Sequence, residues 1–169
     1  MKGYLQVYTG KGKGKSTASF GLAMRATGAK LKVVIIQFIK SMAYSEVAIF
    51  KQLGIDIYQY GRGCFIKGDP TEEDRKYAKQ ALEKALELFE KNTIDLLILD
   101  EINVAHYFKL FTDAELKKLL AKRPENMELV CTGRYAPHFL IEQADLVTEM
   151  AEIKHYYAKG VQARVGIER

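Results

Sequence analysis

The stretch Val7-Tyr8-Thr9-Gly10-Lys11-Gly12-Lys13-Gly14-Lys15-Ser16-Thr17 constrains this chain more than any other. An apolar run, Tyr4 to Tyr8, leads into it. A helical stretch, Ala18-Ser19-Phe20-Gly21-Leu22-Ala23-Met24-Arg25, follows it. Strand, glycine loop and helix in that order build a phosphate site. Glycines let the backbone turn so that successive N–H groups point inward, and the helix N-terminus adds its positive end. In such a loop Lys15 reaches phosphate oxygens and Ser16 offers its hydroxyl to magnesium. The usual pattern has glycine five residues before Gly14, where this chain has Thr9. The alternate glycines Gly10, Gly12 and Gly14 compensate in flexibility.

The second informative stretch is Asp95-Leu96-Leu97-Ile98-Leu99-Asp100-Glu101. Four aliphatic residues ending in two acids read as a buried strand that delivers carboxylates to its carboxyl end. Ligands bind at that edge in parallel α/β sheets. Beside a phosphate loop, these acids hold magnesium, directly or through water. Read alone, the same residues are a strand followed by a helix cap.

The rest of the chain alternates between the two periods. Lys32 to Phe38 is a continuous apolar run, as expected of a parallel strand covered on both faces. A helix over Glu46–Leu53 closes at Gly54, and Ile55 to Tyr60 is a strand near a sheet edge. Gly28 reads as a helix C-terminal cap, and Gly61 to Pro70 as the longest irregular segment. Thr71 and Thr112 open capping boxes of the helices that follow. Glu128 to Thr132 is a strand that places Arg134 on the carboxyl edge. A short helix over 136–143 and a strand over 146–150 follow, and the tail from His155 is unassigned. The expectation is a six-stranded, mostly parallel α/β sheet with helices on both faces, P-loop NTPase-like (RecA-like), as one domain over 1–169.

Composition limits the partners. The 169 residues are 48% hydrophobic and 28% charged, as in ordinary globular chains. Net charge is +5 and the sequence pI about 9.1. Lys11, Lys13 and Lys15 already have an anionic partner in the phosphate loop. The other lysines mix with glutamates, as on solvated helix faces, so nucleic acid is not the expected ligand. No apolar run approaches membrane-span length. The N-terminus lacks a signal-peptide core, so the cytoplasm is expected. Cys64 and Cys131 lack metal-ligand spacing and read as reduced, small apolar residues.

Several motifs coincide. The segments 9–17, Gln37-Phe38-Ile39-Lys40, Gly61-Arg62-Gly63, 99–103, Thr132-Gly133-Arg134-Tyr135-Ala136-Pro137, 144–150 and Gly166-Ile167-Glu168 together resemble the ATP:corrinoid adenosyltransferases. This P-loop family is also called cob(I)yrinic acid a,c-diamide adenosyltransferases. The resemblance runs from Tyr8 to Glu168, and Thr9 in place of the first glycine is typical of it. It implies attack of a cobalt(I) corrinoid on C5′ of ATP with release of triphosphate. It implies that ATP is bound by Thr9, Gly10, Lys11, Gly12, Lys13, Gly14, Lys15, Ser16, Thr17 and Arg134, with Lys15, Glu101 and Arg134 catalytic. Magnesium or manganese contacts are implied at Ser16 and Glu101, with Asp100 orienting them from behind. Gly63, Cys64, Phe65 and Ile66 are implied at the corrinoid. The better-known members carry a phenylalanine directly after the Gly-Arg-Gly motif and a tryptophan two further on. This chain has Cys64, Phe65 and Ile66 there and contains no tryptophan, which makes Phe65 the candidate for apolar packing on cobalt's lower face. The resemblance also implies a homodimer and a flavoprotein electron donor. The competing classes are a P-loop kinase or ATPase cutting at the γ-phosphate and a non-catalytic corrinoid carrier.

Overall fold

A computed structural model describes residues 2–41, 45–63 and 68–168. The elements are β1 (Leu5–Thr9), α1 (Lys15–Gly28), β2 (Val33–Lys40), α2 (Ser45–Gln52), β3 (Asp56–Gly63), α3 (Glu72–Lys91), β4 (Leu96–Asp100), α4 (Ile102–Tyr107), α5 (Asp113–Ala121), β5 (Glu128–Thr132), α6 (His138–Gln143) and β6 (Leu146–Glu149). A 3-10 turn, Tyr156–Lys159, follows in the tail. The strands form one six-stranded sheet in the order β3-β2-β4-β5-β1-β6. Every pairing is parallel, so all six carboxyl ends lie along one edge.

Alternation along the central strands divides the core into two layers. Val34, Ile36 and Phe38 of β2, Leu97 and Leu99 of β4, and Leu129 and Cys131 of β5 pack with residues of α3, α4, α5 and α6. Val33, Ile35, Leu96, Ile98 and Val130 face the other way, against Phe20, Ala23 and Ala26 of α1 and Phe50 of α2. Because both faces of β2, β4 and β5 are covered, their sequences read as unbroken apolar runs rather than alternating ones. Burial pushes the Cys131 thiol up to about 12, so it stays a neutral, small apolar group. Thr71 and Thr112 each make both bonds of a capping box, to Asp74 and Glu115.

The structure differs from the sequence expectations at several places, beyond shifts of one or two residues at the ends of α2, α6 and β6. The segment Gly61-Arg62-Gly63 is strand rather than loop, because β3 continues to Gly63. There β3 passes a register shift in β2. A Cβ at Gly61 would lie 2.4 Å from the Ile39 carbonyl carbon, so glycine is needed for the approach. Gly28 is the last residue of α1, not a left-handed cap; the positive φ falls on Lys30. The helix α4 has no counterpart in the expected elements. The strand expected over 55–60 begins at Asp56 and, as expected, lies at a sheet edge. Among the described residues, no helix is long and apolar enough to cross a membrane.

Candidate functional site

The strand order determines which side chains meet. The glycine-loop strand β1 and the acid strand β4 are not neighbours; β5 lies between them. The end of β5 therefore delivers Thr132 and the following Gly133 and Arg134 between the loop and the acids.

The loop turns through Gly10 at φ 94° and Gly14 at φ 119°, and Gly14 is the residue from which α1 begins. Gly10 and Gly12 pack against backbone beyond β6, where an added Cβ would fall within 2.5–2.7 Å of the Met150 carbonyl oxygen. The Gly12 amide donates to that same oxygen at 2.7 Å. Lys15 is buried, and its ammonium donates to the carbonyls of Gly10 (2.8 Å) and Gly12 (2.6 Å). Burial lowers its pKa, the Glu101 charge raises it, and the Arg134 charge lowers it further. Lys11, Lys13 and Thr17 are exposed and Ser16 is half-buried. Thr9, standing where glycine is usual, accepts a long hydrogen bond from the Ala136 amide at 3.4 Å. Its hydroxyl thus ties the loop to the segment after β5.

At the end of β4, Asp100 is fully buried. One carboxylate oxygen accepts from Gln37 (3.1 Å) and from Lys40 (2.8 Å), both on β2. The other accepts from the Thr132 hydroxyl at 2.8 Å. The Ser16 hydroxyl stands near this carboxylate and favours its charged form. Burial alone would raise the Asp100 pKa, but Lys40, Ser16 and Thr132 outweigh it and hold the group below its ordinary value. Burial likewise works against the Lys40 ammonium, yet Asp100 and Glu101 leave its pKa well above that of an ordinary lysine. Glu101 takes a left-handed conformation at φ 62°, and its amide donates to Thr132 Oγ1 at 3.0 Å. Burial and the neighbouring Asp100 charge raise its pKa, and Lys40, Lys15 and Arg134 pull it only partway back.

The residues singled out at the loop, at Asp100 and Glu101, and at Arg134 therefore converge. Gly63 lies at the far side of the same edge, paired with Lys40 of β2. Its neighbour Arg62 is held by Glu73 and Asp74 at 3.0 and 3.1 Å. Cys64, Phe65 and Ile66 lie outside the described residues. Gln37, Lys40, Thr132 and Asn103 stand in the sequence motifs given above, but no role at the site is assigned to them there. Gln37 sits in an otherwise apolar run, where a polar residue headed for a fully buried position was the available signal.

The buried Lys40–Asp100 pair yields a stability prediction. Asp100→Asn removes the carboxylate charge and leaves the Lys40 ammonium in a site built for an anion. It is expected to cost on the order of 3 kcal/mol, the scale of breaking a buried pair from one side. Chemical denaturation reads this directly, and an unshifted midpoint would show that the pair does not carry that energy.

The comparisons with known proteins agree with this geometry. The chain matches the family described as ATP:corrinoid adenosyltransferase BtuR/CobO/CobP over residues 1–169. It is 39% identical to a corrinoid adenosyltransferase of Sinorhizobium sp, across 99% of this chain and 80% of that one. It is 36% identical to one of Pseudomonas aeruginosa, across 99% and 84%. With one of Escherichia coli K12 it shares 30% identity across 99% and 86%. A phosphate loop, an acid pair and an arginine brought to one sheet edge, together with a match along the whole chain, make this protein a member of the ATP:corrinoid adenosyltransferase family.

Proposed function

We propose that this chain transfers the 5′-deoxyadenosyl group of ATP to the cobalt(I) of a corrinoid and releases triphosphate. The observation that carries this reading is the convergence of Lys15, Glu101 and Arg134 at the phosphate loop: a Cβ on Gly133, the residue before Arg134, would lie 3.1 Å from Glu101 Oε2, and the charges of Glu101 and Arg134 both act on Lys15. The cobalt electron pair attacks C5′. A cobalt–carbon bond forms, the carbon–oxygen bond breaks, and its electron pair leaves on the triphosphate oxygen. Cobalt(I) becomes cobalt(III). The nucleophile belongs to the substrate, so the protein needs no general base. Its tasks are to align carbon with cobalt and to stabilise a highly charged leaving group.

The loop from Thr9 to Thr17 would hold the triphosphate, with the Lys15 ammonium exchanging two backbone carbonyls for phosphate oxygens. Arg134 would add a second cation. The donor set suits magnesium or manganese. Asp100 has both oxygens engaged within the protein, whereas no described side chain hydrogen-bonds the Glu101 carboxylate. Glu101 and the Ser16 hydroxyl would therefore hold the ion, and Asp100 would orient Ser16. Once bound, the ion neutralises charge on the phosphates. On this reading residues 1–169 act as one P-loop α/β domain, in the cytoplasm, where ATP and strong reductants are at hand.

The first test is the product. With ATP, magnesium and chemically reduced cobalamin, the wild-type chain is expected to release triphosphate, and ADP would overturn the reading. Lys15→Ala is expected to slow adenosyl transfer by at least about 100-fold, the scale for losing one preorganised charged donor. Full activity in a folded Lys15→Ala variant would remove the loop from the mechanism.

Gly63, Cys64, Phe65 and Ile66 are proposed at the corrinoid, with Phe65 packing on cobalt's lower face. Apolar packing there would replace an axial ligand, withdraw its electron donation and make cobalt(I) accessible to a flavoprotein reductant. Support for this placement is the family resemblance of the Gly61-Arg62-Gly63 motif just before it. Phe65→Ala is expected to slow turnover from cobalt(II) and to spare turnover from preformed cobalt(I). Equal losses in both assays would overturn that role.

A homodimer is also proposed. The edge strand β6 is exposed throughout, and Tyr4, Leu146, Val147, Ile153, Val165 and Ile167 leave apolar surface on that side of the molecule and along the tail. A second copy would cover it. Light scattering at micromolar concentration is expected to give twice the chain mass, and a monomer would overturn the assignment.

A further inference from the structure

The guanidinium of Arg134 is exposed and makes no ion pair with any described residue. Its position therefore follows from the backbone that carries it. That backbone is unusual: Gly133 has φ 130° and Tyr135 has φ 63°, so left-handed residues flank the arginine on both sides. A tyrosine holds such a conformation only when its surroundings impose it.

Those surroundings are two residues of α4. Asn103 is fully buried and donates from Nδ2 to the Gly133 carbonyl at 3.1 Å. Tyr107, one turn later on the same helix, stacks on Tyr135 with ring centroids 4.1 Å apart and planes 26° from parallel. The two contacts grip the residue before Arg134 and the residue after it. Two further bonds fasten the same segment to β1, from the Gly133 amide to the Tyr8 carbonyl (3.1 Å) and from the Ala136 amide to Thr9 Oγ1. The helix is itself anchored by Ile102 and Ala105, both fully buried, and begins directly after Glu101.

We propose that Asn103 and Tyr107 are positioning residues, and that α4 is a clamp that aims Arg134 at the triphosphate while starting from the carboxylate on the metal side. This rests on the reading of Arg134 given above. The Tyr107–Tyr135 stack is the outer grip and the Asn103 amide the inner one. Neither residue touches the reacting atoms. Each acts through the arginine, by restricting where its backbone can stand.

The test is a double-mutant cycle on adenosyl transfer and on tripolyphosphate binding by calorimetry. Tyr107 is more than half exposed, so Tyr107→Ala leaves the core intact. It is expected to weaken tripolyphosphate binding and raise the KM for ATP, with roughly a tenfold loss in kcat/KM, within the range that misplacing a catalytic group produces. The KM for the corrinoid should hold. In an Arg134→Ala background the same substitution should cost less than about twofold, because effects routed through one residue do not add. Tyr107→Phe keeps the stack and should restore wild-type behaviour. Asn103→Ala should reproduce the pattern for the inner grip. A loss of equal size with and without Arg134 would overturn the proposal, as would a Tyr107→Ala chain that matches wild type. If Arg134→Ala alone changed nothing, Arg134's role would fall and this proposal with it. If Arg134→Ala were damaging and Tyr107→Ala harmless, only the clamp would fall.

Discussion

The Asp100 carboxylate is the point on which the site depends. It is fully buried at the end of β4, it takes hydrogen bonds from β2 and from β5, and the Ser16 hydroxyl in the first turn of α1 favours its charge. A buried carboxylate is costly unless it is both paired and hydrogen-bonded. This one is both, through Lys40 on one side and Gln37, Thr132 and Ser16 around it. The requirement acts as a template. For Asp100 to be satisfied, the carboxyl ends of β2, β4 and β5 must stand at fixed heights relative to one another, and Ser16 must open its helix within reach. The loop, the acids and the arginine are thereby set in register by one desolvated charge.

The same carboxylate explains why two adjacent acids differ. Asp100 points into a cluster of donors and its pKa is depressed. Glu101, one residue on, turns out of the strand in a left-handed conformation, where burial and the Asp100 charge raise its pKa. One acid is consumed in holding the architecture. The other keeps its oxygens available. Adjacent carboxylates at a strand end are thus divided by backbone geometry, since successive residues of a strand leave on opposite faces and the turn that follows moves the second into the site.

What the sequence disclosed and what it withheld follow the same line. The glycine loop, the strand leading into it and the acid strand are local features, and each formed where its residues placed it. The capping boxes at Thr71 and Thr112 were equally local, and both bonds of each are made. Strand order was not legible. That β5 separates β1 from β4 is set by long-range packing, and it alone explains why Thr132 and Arg134 belong to the same site as Lys15. The partnership of Gln37 and Lys40 with Asp100 was not legible for a related reason: Gln37 lies within an apolar run and Lys40 just beyond it, and the register of β2 against β4, which sets Gln37 beside Asp100, is a long-range feature. The helix α4 escaped because it is six residues long, has no side-chain cap, and follows a residue with positive φ. Each of these weakens the periodic and capping signals from which helices are read. Phe65 lies outside the described residues, and its placement rests on resemblance.

The posture of Lys15 links this frame to the chemistry. Its ammonium is buried and rests on two carbonyls of the loop it belongs to. Neutral acceptors satisfy its hydrogen bonds but do little for its charge, and burial lowers its pKa accordingly. A phosphate oxygen supplies both the acceptor and the opposite charge, and charge-assisted hydrogen bonds are roughly twice as strong as neutral ones. The loop thus holds its cation in a state that an anion improves, without moving the backbone that carries it. Arg134 is exposed and acts electrostatically on the same lysine, so the two cations disfavour each other until an anion stands between them. That arrangement favours the most highly charged species on the reaction path. On the proposed reading, negative charge accumulates on the departing triphosphate as the carbon–oxygen bond of ATP breaks, and the mutual repulsion of Lys15 and Arg134 would be relieved most at that stage. Stabilisation that grows with leaving-group charge lowers the barrier, whereas equal stabilisation of bound ATP would lower only its KM.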